Sequence, residues 1–369
     1  MARWDIFCRV IDNYGDIAVS WRLARQLAAE YGFVVRLWIN QPATLHKIVP
    51  AVDAQMMRQQ VDGVDVLHWT AQSQFNDAAD VVIEAFGCGL PDAYVALLAE
   101  RATQTGRPHW IVLEYLSAEP WVAQHHAMPS PHPRVDVARH FFFPGVAAGT
   151  GGLLREGNLL LRHAAFERDA WWRRHGYSAP PHDALAVSLF AYARAPYVEL
   201  LEALRQNARP VVLAVPEGFA TSALREAAAG AANIELRFLP FLSQWDYDEL
   251  LWACDINFVR GEDSFVRAQW AAVPFVWHIY PQEAAAHAVK MEAFLNAYEA
   301  YCGTAAATPM RALWQGWNNV PESANLCNAW ADFTASLPAQ CKAAEHWREG
   351  LLKLGDVAGN LVQFVKKTI

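Results

Sequence analysis

The sequence IDNYGD at residues 11–16 stands between an apolar segment and an amphipathic one, and the first half of the chain is organised around it. Residues 6–10 (IFCRV) are mostly apolar and predict a buried first strand. Beyond the motif, Val19, Leu23 and Leu27 recur at the spacing of one helical face. The motif therefore lies on a strand-to-helix turn. In an open α/β sheet, ligands bind in the crevice at the carboxyl ends of the strands.

Two carboxylates, Asp12 and Asp16, and the amide of Asn13 surround one glycine in this turn. One explanation is structural, because Asp and Asn cap the N–H groups at a helix start and suit the positive end of the helix dipole. A cap needs only one such side chain, however. The pair also suits proton abstraction or the binding of a cationic substrate, and the residues alone leave both explanations open.

Length and composition limit the class of protein. A chain of 369 residues is too long for one typical core, so we expect two domains. With 54% hydrophobic and 18% charged residues, it is globular rather than disordered. The net charge is −8 and no block of Lys or Arg occurs. This argues against a nucleic-acid binder, although an acidic protein can still meet a basic partner.

The start of the chain and its cysteines indicate a cytoplasmic protein. Residues 1–5 lead directly into a strand, no signal peptide is evident, and no apolar run reaches the roughly 18 residues of a membrane span. The six cysteines form no C-x-x-C pair and lie mostly in apolar runs, so we expect reduced core residues rather than metal ligands. A tract rich in His and Pro at 125–134 is interpreted as a surface loop.

Strand and helix patterns alternate along both halves of the chain, which is typical of parallel sheets. We predict strands in the first half at 34–39, 64–69, 81–86 and 110–113. We predict strands in the second half at 185–190, 210–215, 234–238, 255–259 and 275–279. Helices are predicted at 17–31, 42–48, 92–101, 159–172, 197–205, 224–229, 247–253, 265–270 and 283–300.

The glycine-rich stretch 144–157 is interpreted as a flexible interdomain linker. It gives an N-terminal domain at 1–150 and a C-terminal domain at 151–350. The amphipathic tail, 351–369, is expected to form a helix that returns to the first domain.

A second polar cluster, RGEDSF at residues 260–265, lies on a strand-to-helix turn of the second half. The backbone N–H groups of the helix start, the Ser264 hydroxyl and the guanidinium of Arg260 would form an anion site. Glu262 would then be left for a sugar hydroxyl or a second basic group. The alternative is an N-cap by Asp263 or Ser264, with Arg260 in a surface ion pair.

Aromatic residues follow neighbouring strands of the same half and are predicted to lie beside this turn. Rings next to an anion site suit a nucleobase, although each residue alone is also typical of a hydrophobic core. The four candidates are Phe190, Tyr192, Phe241 and Tyr280.

These motifs together resemble one family, the bacterial protein-arginine rhamnosyltransferases that modify elongation factor P. The likeness covers nearly the whole chain. It rests on IDNYGDI at 11–17, LEYLSAE at 113–119, RGEDSFVRAQW at 260–270, and the glycine stretch with PG at 144–145 and GGLLR at 151–155. Ala18 and Ser20 depart from the Gly and Cys expected after the first motif, a conservative change that leaves the carboxylates in place.

The resemblance implies a GT-B glycosyltransferase, with two Rossmann-like domains facing across a cleft. It implies transfer of L-rhamnose, with inversion, from dTDP-β-L-rhamnose to an arginine of elongation factor P, without a metal or other cofactor. The second domain would bind the donor through Phe190, Tyr192, Phe241, Gln244, Arg260, Glu262, Asp263, Ser264 and Tyr280. The first domain would bind the acceptor through Asp12, Asn13, Tyr14, Asp16 and Glu114.

Arginine is a demanding acceptor, because its pKa exceeds about 12 and its lone pairs are delocalised. Two carboxylates can fork the guanidinium, orient one nitrogen and accept its proton as the C–N bond forms. We therefore assign Asp16 as the general base and Asp12 as the orienting partner, with Glu262 helping to hold donor or acceptor. Arg260 and the helix N-terminus would stabilise the leaving diphosphate.

Two other functions fit parts of the pattern. One is a sugar-nucleotide glycosyltransferase that acts on a small molecule or glycan, and the other is a non-catalytic module that binds a nucleotide or a basic protein. The intact pair Asp12 and Asp16 favours catalysis over binding. The acidic first domain favours a cationic acceptor over a sugar.

Overall fold

The computed structural model describes residues 2–10, 14–104, 107–218, 224, 233–280 and 286–367. The chain divides into two compact units. The first comprises Met1–Gly157 together with Leu351–Ile369, and the second comprises Asn158–Gly350. The division after Gly157 lies a few residues beyond the predicted boundary at 150/151.

The first unit is built on a mostly parallel sheet whose described strands number eight. In chain order they are β1 (Arg3–Cys8), β2 (Val34–Ile39), β3 (Arg58–Val61), β4 (Val64–His68), β5 (Val81–Ala85), β6 (His109–Leu113), β7 (Pro129–Pro131) and β8 (Ala138–Phe142). Their order across the sheet is β3-β4-β2-β1-β5-β6-β8-β7, and only β3/β4 and β7/β8 pair antiparallel. Helices of this unit are Gly15–Tyr31, Pro42–Ile48, Asp92–Gln104, Trp121–His125 and Val357–Lys367.

The topology of the first sheet reverses at β1. The chain moves outward from β1 to β2 and β4, then returns to add β5 and β6 on the other side of β1. Both faces are covered, because β5 is buried throughout and apolar clusters pack on each side of the sheet. The crevice at the carboxyl ends of β1 and β5 is therefore the switch point at which ligands of such sheets bind.

The second unit contains a parallel sheet with five strands among the described residues. They are β9 (Leu185–Leu189), β10 (Val211–Pro216), β11 (Ile234–Leu239), β12 (Ile256–Arg260) and β13 (Phe275–His278). Their order is β11-β10-β9-β12-β13, so the switch point lies between β9 and β12. The helices are Leu159–Ala164, Arg168–Arg174, Tyr197–Arg205, Gln244–Ala253, Asp263–Ala271, Ala286–Cys302, Thr304–Trp317, Leu326–Ala335 and Leu337–Leu352, the last of which ends in the first unit.

The prediction of a flexible linker at 144–157 is wrong, because this stretch packs into the first unit. Leu153 is buried and pairs with Asp356 in an isolated parallel bridge. The Glu156 carboxylate is buried against Arg22, with Nη1 and Oε1 3.1 Å apart. Gly152 has φ 72°, and a Cβ there would lie 2.9 Å from the carbonyl oxygen of Gly355, so the close approach of the two segments requires glycine.

Several predicted helices and loops need correction. The predicted helix at 159–172 is two helices, Leu159–Ala164 and Arg168–Arg174. In the tail, one helix ends at Leu352 and another starts at Val357, with Gly355 at φ 77° between them. The 125–134 tract contains the edge strand β7 rather than loop alone. The predicted helix at 224–229 lies, apart from residue 224, outside the described residues.

The structure also describes the six cysteines and the length and composition of the helices. All six cysteines are free; Cys8 and Cys254 are buried, and the other four are half-buried. Burial raises the pKa of the Cys88 thiol to about 12. Among the described residues, no helix has the length and apolar composition needed to cross a membrane.

Candidate active site

The first cluster of predicted site residues lies at the switch point of the first unit. The helix Gly15–Tyr31 starts shortly after β1, and Asp16 stands in its first turn. Asp16 is 1% exposed, and its Oδ1 accepts a hydrogen bond from the Tyr115 hydroxyl at 3.0 Å. The Tyr115 ring stacks on Phe86, with ring centroids 4.5 Å apart and planes 21° apart. A buried carboxylate is thus held by a residue from another strand end.

Backbone contacts fix the strand ends that carry these aromatic rings. Phe86 follows β5 with φ 57°, a left-handed conformation that is uncommon for a residue other than glycine. Its N–H donates to the carbonyl of Leu113 at the end of β6 over 2.7 Å. The Glu84 carboxylate accepts from the N–H of Gly89 and from Nε1 of Trp110, both at 3.0 Å. Glu84 therefore supports the glycine turn after β5.

The structure describes only some of the other residues that are predicted to bind the acceptor. Asp12 and Asn13 lie outside the described residues, so the predicted pairing of Asp12 with Asp16 stays a prediction. Tyr14 is at the N-cap of the helix without a capping bond from its side chain, which means that Asp16 is not the cap. Glu114 follows β6, is half-exposed, and donates its N–H to the carbonyl of Phe142 at 2.9 Å.

The second cluster surrounds Arg260, the last residue of β12. Arg260 is 6% exposed, so the alternative that placed it in a surface ion pair is wrong. Its guanidinium carbon lies 4.4 Å from the ring centroid of Phe190 and 4.7 Å from that of Tyr192. Both rings are within the range of a cation–π interaction. The two aromatic residues after β9 therefore hold the cation at the switch point of this sheet.

Tyr192 is itself fixed by neighbouring polar groups. Its N–H donates to Nδ1 of His278 at 3.2 Å, and its carbonyl accepts from the Tyr197 hydroxyl at 2.7 Å. Burial, together with the positive charge of Arg260, lowers the pKa of His278 to about 4. The imidazole is therefore neutral at physiological pH and accepts this hydrogen bond. The Tyr280 ring, 47% exposed, meets Tyr192 edge to face at 5.4 Å.

The turn after β12 lacks the N-cap that the sequence offered as an alternative to an anion site. The helix Asp263–Ala271 has Glu262 at its N-cap without a capping bond from that side chain, so neither Asp263 nor Ser264 is the cap. The Ser264 hydroxyl donates to the carbonyl of Arg260. Gly261, at φ 64°, accepts from Nε1 of Trp277 at 2.9 Å. Two side chains thus donate to backbone carbonyls of the turn, and the positive end of the helix dipole lies beside Arg260.

Two further residues predicted to bind the donor follow β11. Phe241 is half-buried in the loop, and Gln244 is 7% exposed at the start of the helix Gln244–Ala253. Ser243 caps that helix, accepting from the N–H of Asp246 at 3.2 Å. The described residues contain no group of three or more His, Cys, Asp or Glu side chains placed to hold a metal ion.

Sequence reasoning missed three residues of the two clusters. Phe86 and Tyr115 lie in segments that were recognised as strand ends, yet no role was given to them. His278 was hidden in the apolar run FVWHI at 275–279. Their shared signal is position, because each lies at or within two residues of the end of a parallel strand that flanks a switch point or is the next strand in the sheet.

Comparison with solved structures defines the class. The chain resembles MurG of Acinetobacter baumannii with a TM-score of 0.54 over 99% of both chains; at 13% identity this likeness concerns the fold alone. The chain is more similar to a second structure, which was solved to explain EarP-mediated arginine glycosylation of translation elongation factor EF-P. That match has a TM-score of 0.68 and 32% identity and covers 100% of both chains. The protein is a glycosyltransferase with the predicted α/β fold of the GT-B class.

Sequence comparison defines the family. Residues 4–366 match the family model for Elongation-Factor P (EF-P) rhamnosyltransferase EarP. The chain is also 44% identical over 380 residues to a protein-arginine rhamnosyltransferase of Pseudomonas aeruginosa, with 99% of each sequence covered. The chain belongs to the family of elongation factor P rhamnosyltransferases.

Proposed function

We propose that this protein transfers L-rhamnose from dTDP-β-L-rhamnose to an arginine side chain of elongation factor P, with inversion at the anomeric carbon. Family membership supports the acceptor and the sugar. The structural observation that carries the proposal is the buried carboxylate of Asp16, held by Tyr115 at the switch point of the first unit. We assign the acceptor to this unit and the donor to the second.

The first unit provides the chemistry that an arginine acceptor needs. A carboxylate has about four acceptor positions, and in the proposal Asp16, whose Oδ1 accepts from Tyr115, also accepts a guanidinium N–H of the acceptor. As the guanidinium nitrogen bonds to the anomeric carbon, its proton passes to Asp16. The C–O bond to the diphosphate breaks, and its electron pair stays on the diphosphate oxygen. Asp12 and Asn13 complete this group in the proposal, with Tyr14 and Glu114 beside the acceptor.

The second unit provides positive charge for the leaving diphosphate. The guanidinium of Arg260 and the N-terminus of the helix Asp263–Ala271 lie at one turn, and charge stabilisation of this kind requires no metal. Because Phe190 and Tyr192 each turn a surface to Arg260, they hold the cation as well as lining the site. The more exposed Tyr280 is then the ring we assign to the thymine base.

The remaining donor contacts are proposed from their positions. Glu262 stands at the N-cap of the helix after β12 and is assigned to the sugar or the acceptor, and Asp263 and Ser264 lie in its first turn. Phe241 and Gln244 border the same end of the sheet after β11. We expect the reaction to occur in the cytoplasm, without a metal, and with neither a nucleic acid nor a membrane as partner.

The intact mass of elongation factor P tests the proposal. After incubation with this protein and dTDP-β-L-rhamnose, we expect one added deoxyhexose on one arginine, formed equally well in EDTA. Replacing that arginine by lysine in the acceptor is the matched control and should abolish the addition. The anomeric configuration of the product, measured by NMR, tests inversion. An unchanged acceptor mass with intact donor and folded protein would refute the proposed function.

A further inference from the structure

Tyr115 contacts the residue proposed as the general base from a different strand of the sheet. Its hydroxyl donates to Oδ1 of Asp16 at 3.0 Å, and the two residues are far apart in sequence. Asp16 belongs to the helix after β1, whereas Tyr115 follows β6. The sheet order places β5 between these strands, so the bond joins segments that follow two strands separated by one other strand.

The aromatic ring of Tyr115 is held by packing, in addition to the hydrogen bond that its hydroxyl makes. It stacks on Phe86, which is 7% exposed and follows β5, the intervening strand. Phe86 has φ 57°, and its N–H is bonded to the carbonyl of Leu113, the last residue of β6. A left-handed conformation of a large residue costs free energy and persists where the surroundings impose it. The ends of two neighbouring strands, β5 and β6, thus determine where the Tyr115 ring lies.

A free aspartate has no such fixed orientation. The torsion that turns the carboxylate plane about the Cβ–Cγ bond is broad and roughly two-fold, so rotamer preference alone does not aim an oxygen. One donor at 3.0 Å from Oδ1 limits this rotation and thereby directs Oδ2. Proton transfer from an acceptor nitrogen depends steeply on such alignment.

We propose that Tyr115 is a positioning residue that orients the carboxylate of Asp16 toward the acceptor guanidinium. The inference rests on the proposed function, in which Asp16 is the general base. Tyr115 does not itself exchange a proton with the substrate. Its contribution is to the rate of the chemical step rather than to donor binding, since the donor is assigned to the second unit.

The test is Tyr115→Phe, which keeps the ring and its stacking on Phe86 and removes only the hydroxyl. We expect kcat to fall by about tenfold to a hundredfold, the range for loss of a hydrogen bond to a charged group. The KM for dTDP-β-L-rhamnose should stay close to wild type. The melting temperature should fall by no more than in the control variant described next, because both variants remove one hydrogen bond from a buried carboxylate.

Tyr94→Phe is the matched control. The Tyr94 hydroxyl donates to Oδ2 of the buried Asp5 at 2.5 Å, so this variant also removes a tyrosine–aspartate bond in the same unit. Asp5 lies within β1, however, and Arg36 binds it through two nitrogens, each 2.6 Å from a carboxylate oxygen. We expect Tyr94→Phe to lower the melting temperature and to leave kcat unchanged.

A double-mutant cycle separates positioning from a structural role. In the Asp16→Asn background, single-turnover rates at excess enzyme should fall by less than about twofold when Tyr115→Phe is added, because the group being oriented is no longer a base. An equal loss in both backgrounds, or a wild-type kcat for Tyr115→Phe, would overturn the inference while leaving the proposed function intact. If the wild-type protein left elongation factor P unmodified, the proposed function itself would fail.

Discussion

Acid should destabilise the second unit through His278, whose surroundings keep its imidazole neutral. The side chain is 4% exposed, and its ring lies 5.3 Å from that of Tyr192 and 5.6 Å from that of Trp317. Burial, the charge of Arg260 and the charge of His287 lower the pKa of His278 from 6.5 to about 4. Below pH 6.5 the unfolded chain therefore binds a proton that the folded protein does not.

The size of the effect follows from the lowered pKa. The stabilising contribution is complete above pH 6.5 and is lost as the pH falls toward the folded pKa of about 4. At 1.36 kcal/mol per pKa unit, the free energy of unfolding should fall by about 2 kcal/mol at pH 5 and about 3 kcal/mol at pH 4 from this group alone. That is a large share of the stability of a typical domain.

His278→Asn isolates this contribution, because it removes the titrating ring and keeps an acceptor near the position of Nδ1 for the Tyr192 N–H. Urea unfolding followed by tryptophan fluorescence at pH 5, 6, 7 and 8 gives the free energies. The variant should be less stable at pH 7 yet lose about 2 kcal/mol less than wild type between pH 7 and pH 5. His163, whose pKa is also lowered to about 4, titrates in both proteins and cancels in the difference. Parallel losses in the two proteins would refute the reasoning.

Three further variants test other parts of the structure. Asp16→Asn should lower kcat by about a hundred- to ten-thousand-fold, as expected for loss of a general base, and should leave the affinity for dTDP, measured by calorimetry, unchanged. Full turnover by this variant would exclude Asp16 as the base. Arg260→Lys should weaken dTDP binding by roughly 1–3 kcal/mol, because an ammonium group has no planar faces to pack against the rings of Phe190 and Tyr192. An unchanged Kd for dTDP would contradict this role of Arg260. Arg267→Met should lower the free energy of unfolding by about 3 kcal/mol, because Asp248 is 1% exposed and is bound by two Arg267 nitrogens at 2.8 Å. The value is at the lower end of the range for a broken buried ion pair, because Arg162 still lies 3.8 Å from the Asp248 carboxylate. A loss below about 1 kcal/mol in urea unfolding would contradict this role.

The parallel strands could be predicted from the sequence because they are buried on both faces. Continuous apolar runs such as 81–86 and 275–279 have no other simple explanation, and the structure confirms strands there. The sequence did not predict the edge strands β3 and β7, because they lack an apolar run. In β3, RQQV, and β7, PSP, polar residues and prolines carry no strand pattern, and pairing with a neighbour decides the conformation.

The linker was mispredicted because composition does not report packing. Glycine and alanine at 144–157 are typical of a flexible connection, but the same small residues allow close approach of two backbone segments. The distance from a Cβ at Gly152 to the carbonyl of Gly355 shows the second case here. A contact between residues about two hundred positions apart leaves no local trace in the sequence.

The charged residues of the site were easier to find than their supports. Asp16 and Arg260 stand in turns crowded with polar groups, and the structure places both at switch points. Tyr115 binds Asp16 directly, whereas His278 binds Tyr192, which in turn contacts Arg260. Both supports come from other strands, so these contacts follow from strand order rather than from spacing along the chain.

Each unit holds a buried charged side chain beside a strand end, and in each a neutral group makes a described contact with that charge. Asp16 is held by a hydrogen bond from a neutral hydroxyl. Arg260 is held by the faces of Phe190 and Tyr192, and the imidazole of His278 nearby is neutral. A hydroxyl group and an aromatic face stabilise a charged side chain without adding a charge of the opposite sign. In the proposed reaction the first unit accepts a proton and the second stabilises a leaving anion, and contacts of this kind leave Asp16 and Arg260 the charge that these two roles require.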